Sequence, residues 1–345
     1  MVTAASDLSL DATGWDDAVR RGGGHLLQSW RWGEFKSRHG WAVSRHAVGD
    51  LTGQPTMAHV LSRHRGPVGV GYVPRGPVVG DAGAAGLRAL LKEMDARARA
   101  ERLLFTIVEA DRPLPLTGRF KDAGFVRGGE HVQPGRTVKI PLLADDALLA
   151  QMRQNTRYSV RLAQRRGVQI LRLGDGPTLD DFYALLTDTA ERNSFGVHGK
   201  AYYADFMRTF GDDALCIFAY ADGALAAGLI AARFGEEAIY MYGASSTQNR
   251  AHGAAFLLQF DAMRWARESG CLRYDLWGIP VDDPDAIHED GTRFATTKGD
   301  DWRGLFRFKT GFGGEIVGYP PVLERRYRPV AGFLAKRLAN VGRGL

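Results

Sequence analysis

A run of arginines at four-residue intervals is the clearest chemical pattern in the sequence. It lies in the segment Met152–Arg166, MRQNTRYSVRLAQRR, in which no Asp or Glu neutralises the positive charge. In an α-helix, residues four apart lie on one face, spaced about 6 Å along the axis. Such a face has the dimensions of a nucleic-acid backbone contact. The alternative interpretation is a basic helix face that is exposed to solvent and binds nothing. The candidate phosphate-binding residues are Arg153, Arg157, Arg161 and Arg165.

Two further segments carry groups suited to polar chemistry. In the predicted strand 238–243, Tyr240 and Tyr242 are two residues apart, which would put both hydroxyls on one face of a sheet. They either line a polar pocket or pack as core tyrosines. Lys309 lies among aromatic residues and glycines in the segment 304–314, where a lysine can present a cation to a developing oxyanion. Its alternative is an ordinary surface lysine.

A small-residue loop precedes one of the predicted helices. The segment Arg250–Ala255, RAHGAA, would let backbone amides at the helix N-terminus approach an anion closely. It resembles the Arg-x-x-Gly-x-Ala pyrophosphate loop of GNAT acetyltransferases. Tight packing between a helix and a strand explains the same residues without a ligand.

Composition describes a folded globular chain. Of its 345 residues, 45% are hydrophobic and 24% are charged, and this length predicts two packed units. The net charge of +6 favours anionic partners only mildly. Cys216 and Cys271 lie far apart, which suits a reducing, cytoplasmic setting. The motifs of metal hydrolases, serine hydrolases and Walker-type nucleotide-binding proteins are not found.

Periodicity places these candidates on an alternating α/β framework. The first third reads as strands with one covering helix at 82–101, followed by a buried strand at 103–108. A single helix is predicted from Asp145 to Arg166, ending at Gly167. Strands at 215–220, 225–234 and 238–244 then form a meander, and a helix follows at 252–268. Both units are therefore predicted to be α/β.

Taken in order, a series of short segments resembles the FemABX family, the aminoacyl-tRNA-dependent transferases that build the cross-bridge of bacterial peptidoglycan. The likeness covers most of the chain. Its segments are Leu27–Trp30, Trp32–Lys36, Gly40–Trp41, Val73–Pro77, Thr156–Ala163, Gly167–Val168, Thr189–Phe195, Tyr242–Ser246, Trp265–Ala266, Gly270–Cys271, Tyr274–Ile279 and Phe308–Gly313.

The resemblance implies two GNAT-like α/β domains with mixed sheets. Residues 1–145 with 318–345 would form domain 1, which binds the acceptor precursor. Residues 146–317 would form domain 2, which carries the basic helix and the catalytic lysine. The short connection after Phe195 leaves no room for the long coiled-coil arm of some members, so the chain is similar to the compact ones.

The resemblance also implies an activity and its partners. An amino acid would pass from aminoacyl-tRNA to the stem-peptide amine of a UDP-linked or lipid-linked peptidoglycan precursor. The chemistry needs positioning, an oxyanion stabiliser and a proton acceptor. It needs no cofactor or metal, and none is expected. A peripheral contact with the inner membrane surface stays open.

Roles for single residues follow from the same resemblance. Lys309 would face the reacting carbonyl, with Phe308 beside it. The arginine helix would contact the tRNA. The remaining assignments are Lys36 and Arg192 to the precursor diphosphate, Tyr240 and Tyr242 to the acceptor channel, and Glu109 or Asp111 to the general base.

Two other functions remain open from the residues alone. The loop Arg250–Ala255 suits a GNAT-like N-acyltransferase that uses acyl-CoA. The arginine helix suits an RNA-binding protein without catalysis. The identity of the acyl donor separates the first from an aminoacyltransferase, and dependence of any activity on Lys309 separates the second.

Overall fold

The computed structural model describes residues 6–7, 10–49, 53–116, 121, 123–193, 196–247, 253–280 and 302–327. The chain forms two compact units. The first comprises Met1–Gln133 with Tyr319–Leu345, and the second comprises Pro134–Gly318.

The helices and strands alternate along the chain. Those of the first part are β1 (Ser6–Asp7), α1 (Ala12–Arg21), α2 (Trp30–Ser37), β2 (Ala42–Gly49), β3 (Thr56–Arg65), β4 (Val68–Pro74), α3 (Gly83–Ala100), β5 (Leu103–Glu109) and β6 (Phe125–Arg127). Those that follow are β7 (Arg136–Pro141), α4 (Asp145–Gln151), α5 (Gln154–Arg165), β8 (Gln169–Arg172), α6 (Leu179–Asn193), α7 (Lys200–Phe210), β9 (Ala214–Ala221), β10 (Ala224–Phe234), β11 (Glu237–Ser245), α8 (Ala254–Glu268), β12 (Arg273–Ile279), α9 (Trp302–Gly311), β13 (Glu315–Gly318) and β14 (Leu323–Arg326).

The first unit is a mixed sheet with strand order β1-β2-β3-β4-β5-β14-β6. Strands β4 and β5 are parallel, which requires the crossover helix α3 between them. The apolar side of α3, including Leu87, Leu90 and Met94, packs on Val73 and Val108 of the sheet. Strand β14 pairs with both β5 and β6, so the chain returns to the first unit after completing the second.

The second unit is also a mixed sheet, with strand order β13-β7-β12-β11-β10-β9-β8. Strands β9, β10 and β11 form the antiparallel meander that the sequence predicts, and β11 and β12 are parallel. Because β7 pairs with β12 and β13, the division between the units falls before β7, at Gln133–Pro134. The expected division at residue 145 lies after that strand.

Helices cover both faces of the second sheet. On β10, Ala227, Leu229 and Ala231 join the core formed with α4, α5, α8 and α9. The intervening Gly228 faces the opposite side, where it lies against Phe182 of α6. This alternation is the two-residue period of a strand, and it assigns α6 and α7 to the second face.

The expected helix from Asp145 to Arg166 is wrong as a single element. It breaks into α4 and α5, because Met152 and Arg153 are extended, with ψ of 146° and 149°. The backbone N–H of Arg153 donates to the carbonyl of Gly311 at 2.8 Å, instead of to the helical partner four residues earlier. Arg153 therefore precedes α5 as its N-cap residue and does not lie on the helix face.

The expectation that Tyr240 and Tyr242 share a face is also wrong. Ile230 pairs with Tyr242 and Ala231 pairs with Tyr240, so Met241 is an extra residue in a β-bulge. The bulge reverses the alternation within β11. Tyr240 therefore lies on the face covered by α8 and α9, whereas Tyr242 lies on the face covered by α6 and α7.

The described helices are short. The longest, α3, has 18 residues and carries several charged side chains, and no long helical arm occurs among the described residues. None of the helices in this part of the chain has both the length and the apolar character needed to cross a bilayer.

Candidate active site

Lys309 is the central cation of the second unit. Helix α9 directs its side chain inward, leaving 6% of the residue exposed. The Nζ donates to the carbonyl oxygen of Gly278 at 2.8 Å and lies 5.5 Å from the ring centroid of Tyr240. The alternative of an ordinary surface lysine is therefore wrong.

Burial changes the acid–base chemistry of this lysine. Loss of solvation lowers the pKa of Lys309 to about 8, against an opposing influence of the Asp275 carboxylate, which raises it. At neutral pH the amine is still mostly protonated, and it lies in a region of low polarity. A charge held there acts on a neighbouring oxyanion more strongly than it would in water.

Phe308 helps to fix α9 on the core. Its ring centroid lies 4.9 Å from that of Phe256 on α8 and 5.3 Å from that of Phe312. This packing anchors the residue beside Lys309. The expected position of Phe308 next to a reacting carbonyl stays a prediction.

The two tyrosines have different surroundings. Tyr240 hydrogen-bonds to Gln259 of α8, and burial raises its pKa to about 12, so the hydroxyl stays neutral at physiological pH. Tyr242 hydrogen-bonds to Tyr202 of α7 and lies edge-on to the ring of Tyr203, at 5.1 Å. Of the two, the structure brings Tyr240 to Lys309.

Helix α5 separates an arginine face from a buried face, as its periodicity predicts. Thr156, Val160 and Ala163 are buried, whereas Arg161 and Arg165 are exposed. The remaining arginines differ from these two. Arg157 is half-buried and donates to the carbonyl of Ala150 at 3.3 Å, and Arg153 is exposed at the N-cap.

Part of the small-residue loop can be placed. Residues 250–252 lie outside the described residues. Gly253 has a φ of 72°, and a side chain there would lie 2.5 Å from the carbonyl oxygen of Ser159 on α5. Close packing of α8 on α5 thus accounts for this glycine without a bound anion.

Lys36 is a buried cation of the first unit. It lies on α2 and is 5% exposed, with its Nζ 5.6 Å from the ring centroid of Trp32 and 6.0 Å from that of Trp41. Burial, aided by the positive charge of Arg63, lowers the pKa of Lys36 to about 8. A bound anion would raise this pKa and so favour the charged amine, which suits Lys36 to an anionic ligand.

Arg192 belongs to the second unit. It is exposed at the end of α6, where its Nη2 donates to the carbonyl of Ser245 at 2.8 Å. This bond ties α6 to the end of β11. Lys36 and Arg192 lie in different units, and their shared role at a diphosphate stays a prediction.

Glu109 ends β5 and is 1% exposed. One carboxylate oxygen accepts from the N–H of Val132 at 2.6 Å, and both accept from the N–H of Gln133 at 3.2 and 3.1 Å. The Tyr72 hydroxyl also donates to it, and His131 Nδ1 lies 3.4 Å away.

These contacts favour a structural role for Glu109. A general base must accept a proton from substrate, and the surrounding donors already use the lone pairs of this carboxylate. Asp111, the alternative base, is half-buried, with Oδ2 3.9 Å from Nη2 of Arg112. The role of either residue as a base stays a prediction.

Sequence reasoning missed Asp275, which is 0% exposed on β12 and close enough to influence Lys309 electrostatically. It also missed Gly278, whose carbonyl accepts from that lysine. The available signal was a single carboxylate inside the otherwise apolar stretch Tyr274–Ile279. Buried carboxylates are rare unless they are paired, so a carboxylate at that position indicates a bonded partner.

The two mixed sheets with their covering helices define a tandem GNAT-like α/β fold. A solved structure of this class, a tandem GNAT protein from the clavulanic acid biosynthesis pathway, has a TM-score of 0.56 at 13% identity over 94% of this chain and 99% of that one. Within this class, the chain belongs to the FemAB family, whose model matches residues 124–225 and 221–330.

Two relatives place the chain more closely. It is 25% identical to the lipid II:glycine glycyltransferase of Staphylococcus aureus, over 77% of this chain and 82% of that protein. The crystal structure of FemX has a TM-score of 0.81 at 22% identity, covering 96% of this chain and 99% of that one. FemX therefore shares the fold over nearly the whole length.

Replacement of Glu109 separates its structural role from a catalytic one. Glu109→Gln replaces one acceptor oxygen with an NH₂ group that faces a buried donor, so we expect the free energy of unfolding, measured in urea, to fall by about 1–3 kcal/mol. The exposed neighbour Glu130 provides a matched control, because Glu130→Gln should change stability by less than about 0.5 kcal/mol. Unchanged stability with lost transfer activity in Glu109→Gln would instead support a catalytic base.

Proposed function

We propose that this protein is an aminoacyltransferase that moves an amino acid from aminoacyl-tRNA to the stem-peptide amine of a peptidoglycan precursor. The observation that carries the proposal is the buried Lys309, whose Nζ donates to the Gly278 carbonyl beside Tyr240. Membership of the FemAB family and the lipid II:glycine glycyltransferase activity named for one relative support it.

The reaction needs little beyond positioning and charge. The acceptor amine attacks the carbonyl carbon of the aminoacyl ester, and a C–N bond forms as the carbonyl oxygen becomes an oxyanion. The intermediate then expels the ribose oxygen. The amine loses one proton and the ribose oxygen gains one, so the products are an amide and a tRNA hydroxyl.

Lys309 would act on the oxyanion. Its ammonium has three N–H donors, and one of them is held by Gly278. Another can point towards the developing negative charge. A single preorganised donor of this kind contributes about 10²–10³-fold to a rate. Phe308, next to Lys309, would exclude water from the site, and Tyr240 would border the acceptor channel.

The donor would bind along α5. Its exposed arginines, Arg161 and Arg165, present positive charge that no acidic residue of the helix neutralises. Arg153, at the N-cap, and the half-buried Arg157 extend the charge towards α4. Phosphates of the tRNA backbone are suitable ligands for this surface.

The acceptor would carry its negative charge on a diphosphate. Lys36, buried among indole rings, would bind this group in the first unit, and Arg192 is the candidate cation for it in the second unit. A lipid-linked precursor matches the substrate in the relative's name, and a UDP-linked precursor has the same diphosphate. A lipid-linked acceptor would bring the protein into peripheral contact with the inner face of the cytoplasmic membrane.

The identity of the donor tests the proposal. Purified protein would receive a muropeptide precursor together with either ¹⁴C-labelled aminoacyl-tRNA or ¹⁴C-acetyl-CoA. We expect label to reach the precursor from the aminoacyl ester only, because no part of the reaction above needs a thioester. Label that arrives only from acetyl-CoA would contradict the proposal and identify an N-acyltransferase.

Lys309→Ala is the matched control for this experiment. Without the ammonium, transfer should fall by at least about 10²-fold, while tRNA binding measured by filter retention stays unchanged. A protein that binds tRNA with no transfer in either form would be an RNA-binding protein without catalysis.

The proposed role of the arginine face predicts how the affinity for tRNA depends on salt concentration. In Arg161→Gln with Arg165→Gln, the slope of log affinity for tRNA against log salt should become shallower by about 1.5, since each phosphate contact contributes about 0.7–0.9. Arg208→Gln on α7 is the control, because this exposed arginine pairs with Asp205 in another part of the unit. An unchanged slope in the double variant would mean that this face is merely solvated.

A further inference from the structure

Strand β12 is irregular at the point where it meets Lys309. Asp275 pairs with Lys139 of β7, whereas Gly278 pairs with Thr137, so β12 contains one extra residue. Within this bulge, Trp277 has a φ of 59°. The left-handed conformation is unfavourable for a residue with a large side chain, so other contacts must hold it there.

Asp275 makes those contacts. Its Oδ1 accepts from the backbone N–H of Trp277 at 2.6 Å and also from the hydroxyl of Thr137. Its Oδ2 lies 3.8 Å from Nζ of Lys139. A fully buried carboxylate thus bonds both to the bulge and to the neighbouring strand, which fixes the bulge against β7.

The bulge determines the position of the Gly278 carbonyl. An extra residue changes which way the following backbone groups point, and Gly278 follows directly after Trp277. Its carbonyl then accepts from Nζ of Lys309 at 2.8 Å. A chain of contacts therefore runs from the Asp275 carboxylate through the bulge to the lysine.

Charge provides a second link between the same two residues. Among the described residues, the titratable groups identified near Lys309 are Asp275 on β12 and the hydroxyl of Tyr240 on β11, whose raised pKa keeps it neutral. Beyond Asp275, Lys139 is bonded to Glu237 at 2.8 Å, which balances its charge. Asp275 is the group that offsets the effect of burial on the Lys309 ammonium.

We propose that Asp275 is a positioning residue for Lys309, acting through the bulge that presents the Gly278 carbonyl and through its buried negative charge. The role of Lys309 in transfer rests on the proposed function. The bonds that connect Asp275 to Lys309 through the bulge, and the charge interaction between them, do not depend on it, so the inference can be tested without any substrate.

The test is the titration of Lys309 itself. The chain has eight lysines, so a protein labelled with [ε-¹³C]lysine gives a simple NMR spectrum, and Lys309→Arg assigns the signal. In the wild type, we expect a midpoint near about 8. In Asp275→Asn, which keeps the size but removes the charge, the midpoint should move to lower pH.

Three further variants complete the design. Glu237→Gln removes a carboxylate that binds Lys139, and the Lys309 midpoint should stay at its wild-type value. Asp275→Glu keeps the charge but displaces the oxygens, so the midpoint should move little while the transfer rate falls by about 10²-fold. Thr137→Val removes one hydrogen bond to the Asp275 carboxylate but keeps its charge. The midpoint should again move little while the transfer rate falls, and this variant is used if the Asp275 variants do not fold.

The outcomes are distinct. A wild-type midpoint in Asp275→Asn, or a full transfer rate in Asp275→Glu, would overturn the inference. Full transfer by Lys309→Ala would instead remove the lysine from the proposed function and leave the titration result standing. Absence of transfer in the wild type would contradict the proposed function alone.

Discussion

A protonated amine that is shielded from water must be compensated by its surroundings, and the second unit is built around one such amine. Lys309 has lost most of its solvent contact, and one of its donors is fixed by a backbone carbonyl. Solvation of the charge is thereby replaced by a fixed dipole and by a nearby carboxylate. A site of this kind is already organised before substrate arrives, which is what stabilisation of an oxyanion requires.

Two adjacent strands depart from regular geometry near this lysine. The bulge in β11 places Tyr240 beside Lys309 and sends Tyr242 to the other face of the sheet. The bulge in β12 carries the left-handed Trp277 and leads to Gly278. Bulges are frequent next to functional sites because they redirect single groups without changing the fold. Here the regular part of the sheet is rigid, and the two bulges orient Tyr240 and the Gly278 carbonyl towards Lys309.

Much of the framework could be predicted from the sequence, because hydrophobic periodicity is a local property. The meander from β9 to β11, the buried face of α5 and the two α/β units follow from it. The break between α4 and α5 could not be predicted in this way. It depends on a bond from Arg153 to Gly311, a residue that is distant in the sequence.

The candidate site could likewise be predicted only in part from local sequence. Lys309 could be proposed from its aromatic and glycine-rich surroundings together with the family resemblance, but its burial could not. The separation of the tyrosines depends on one extra residue in a strand, which a strict two-residue alternation does not reveal. Asp275 gave only a weak signal, since its partners Thr137 and Lys139 lie on a strand more than 130 residues earlier.

In the proposed function, the Lys309 ammonium interacts with the transition state more strongly than with the bound donor. Comparison of two inhibitors in the wild type and in Lys309→Ala tests it most directly. One is a phosphonate that mimics the tetrahedral intermediate at the end of the RNA, and the other is a planar amide of the same length. We expect Lys309→Ala to lose about 10²-fold in affinity for the phosphonate and less than about threefold for the amide. An equal loss for both inhibitors would contradict it.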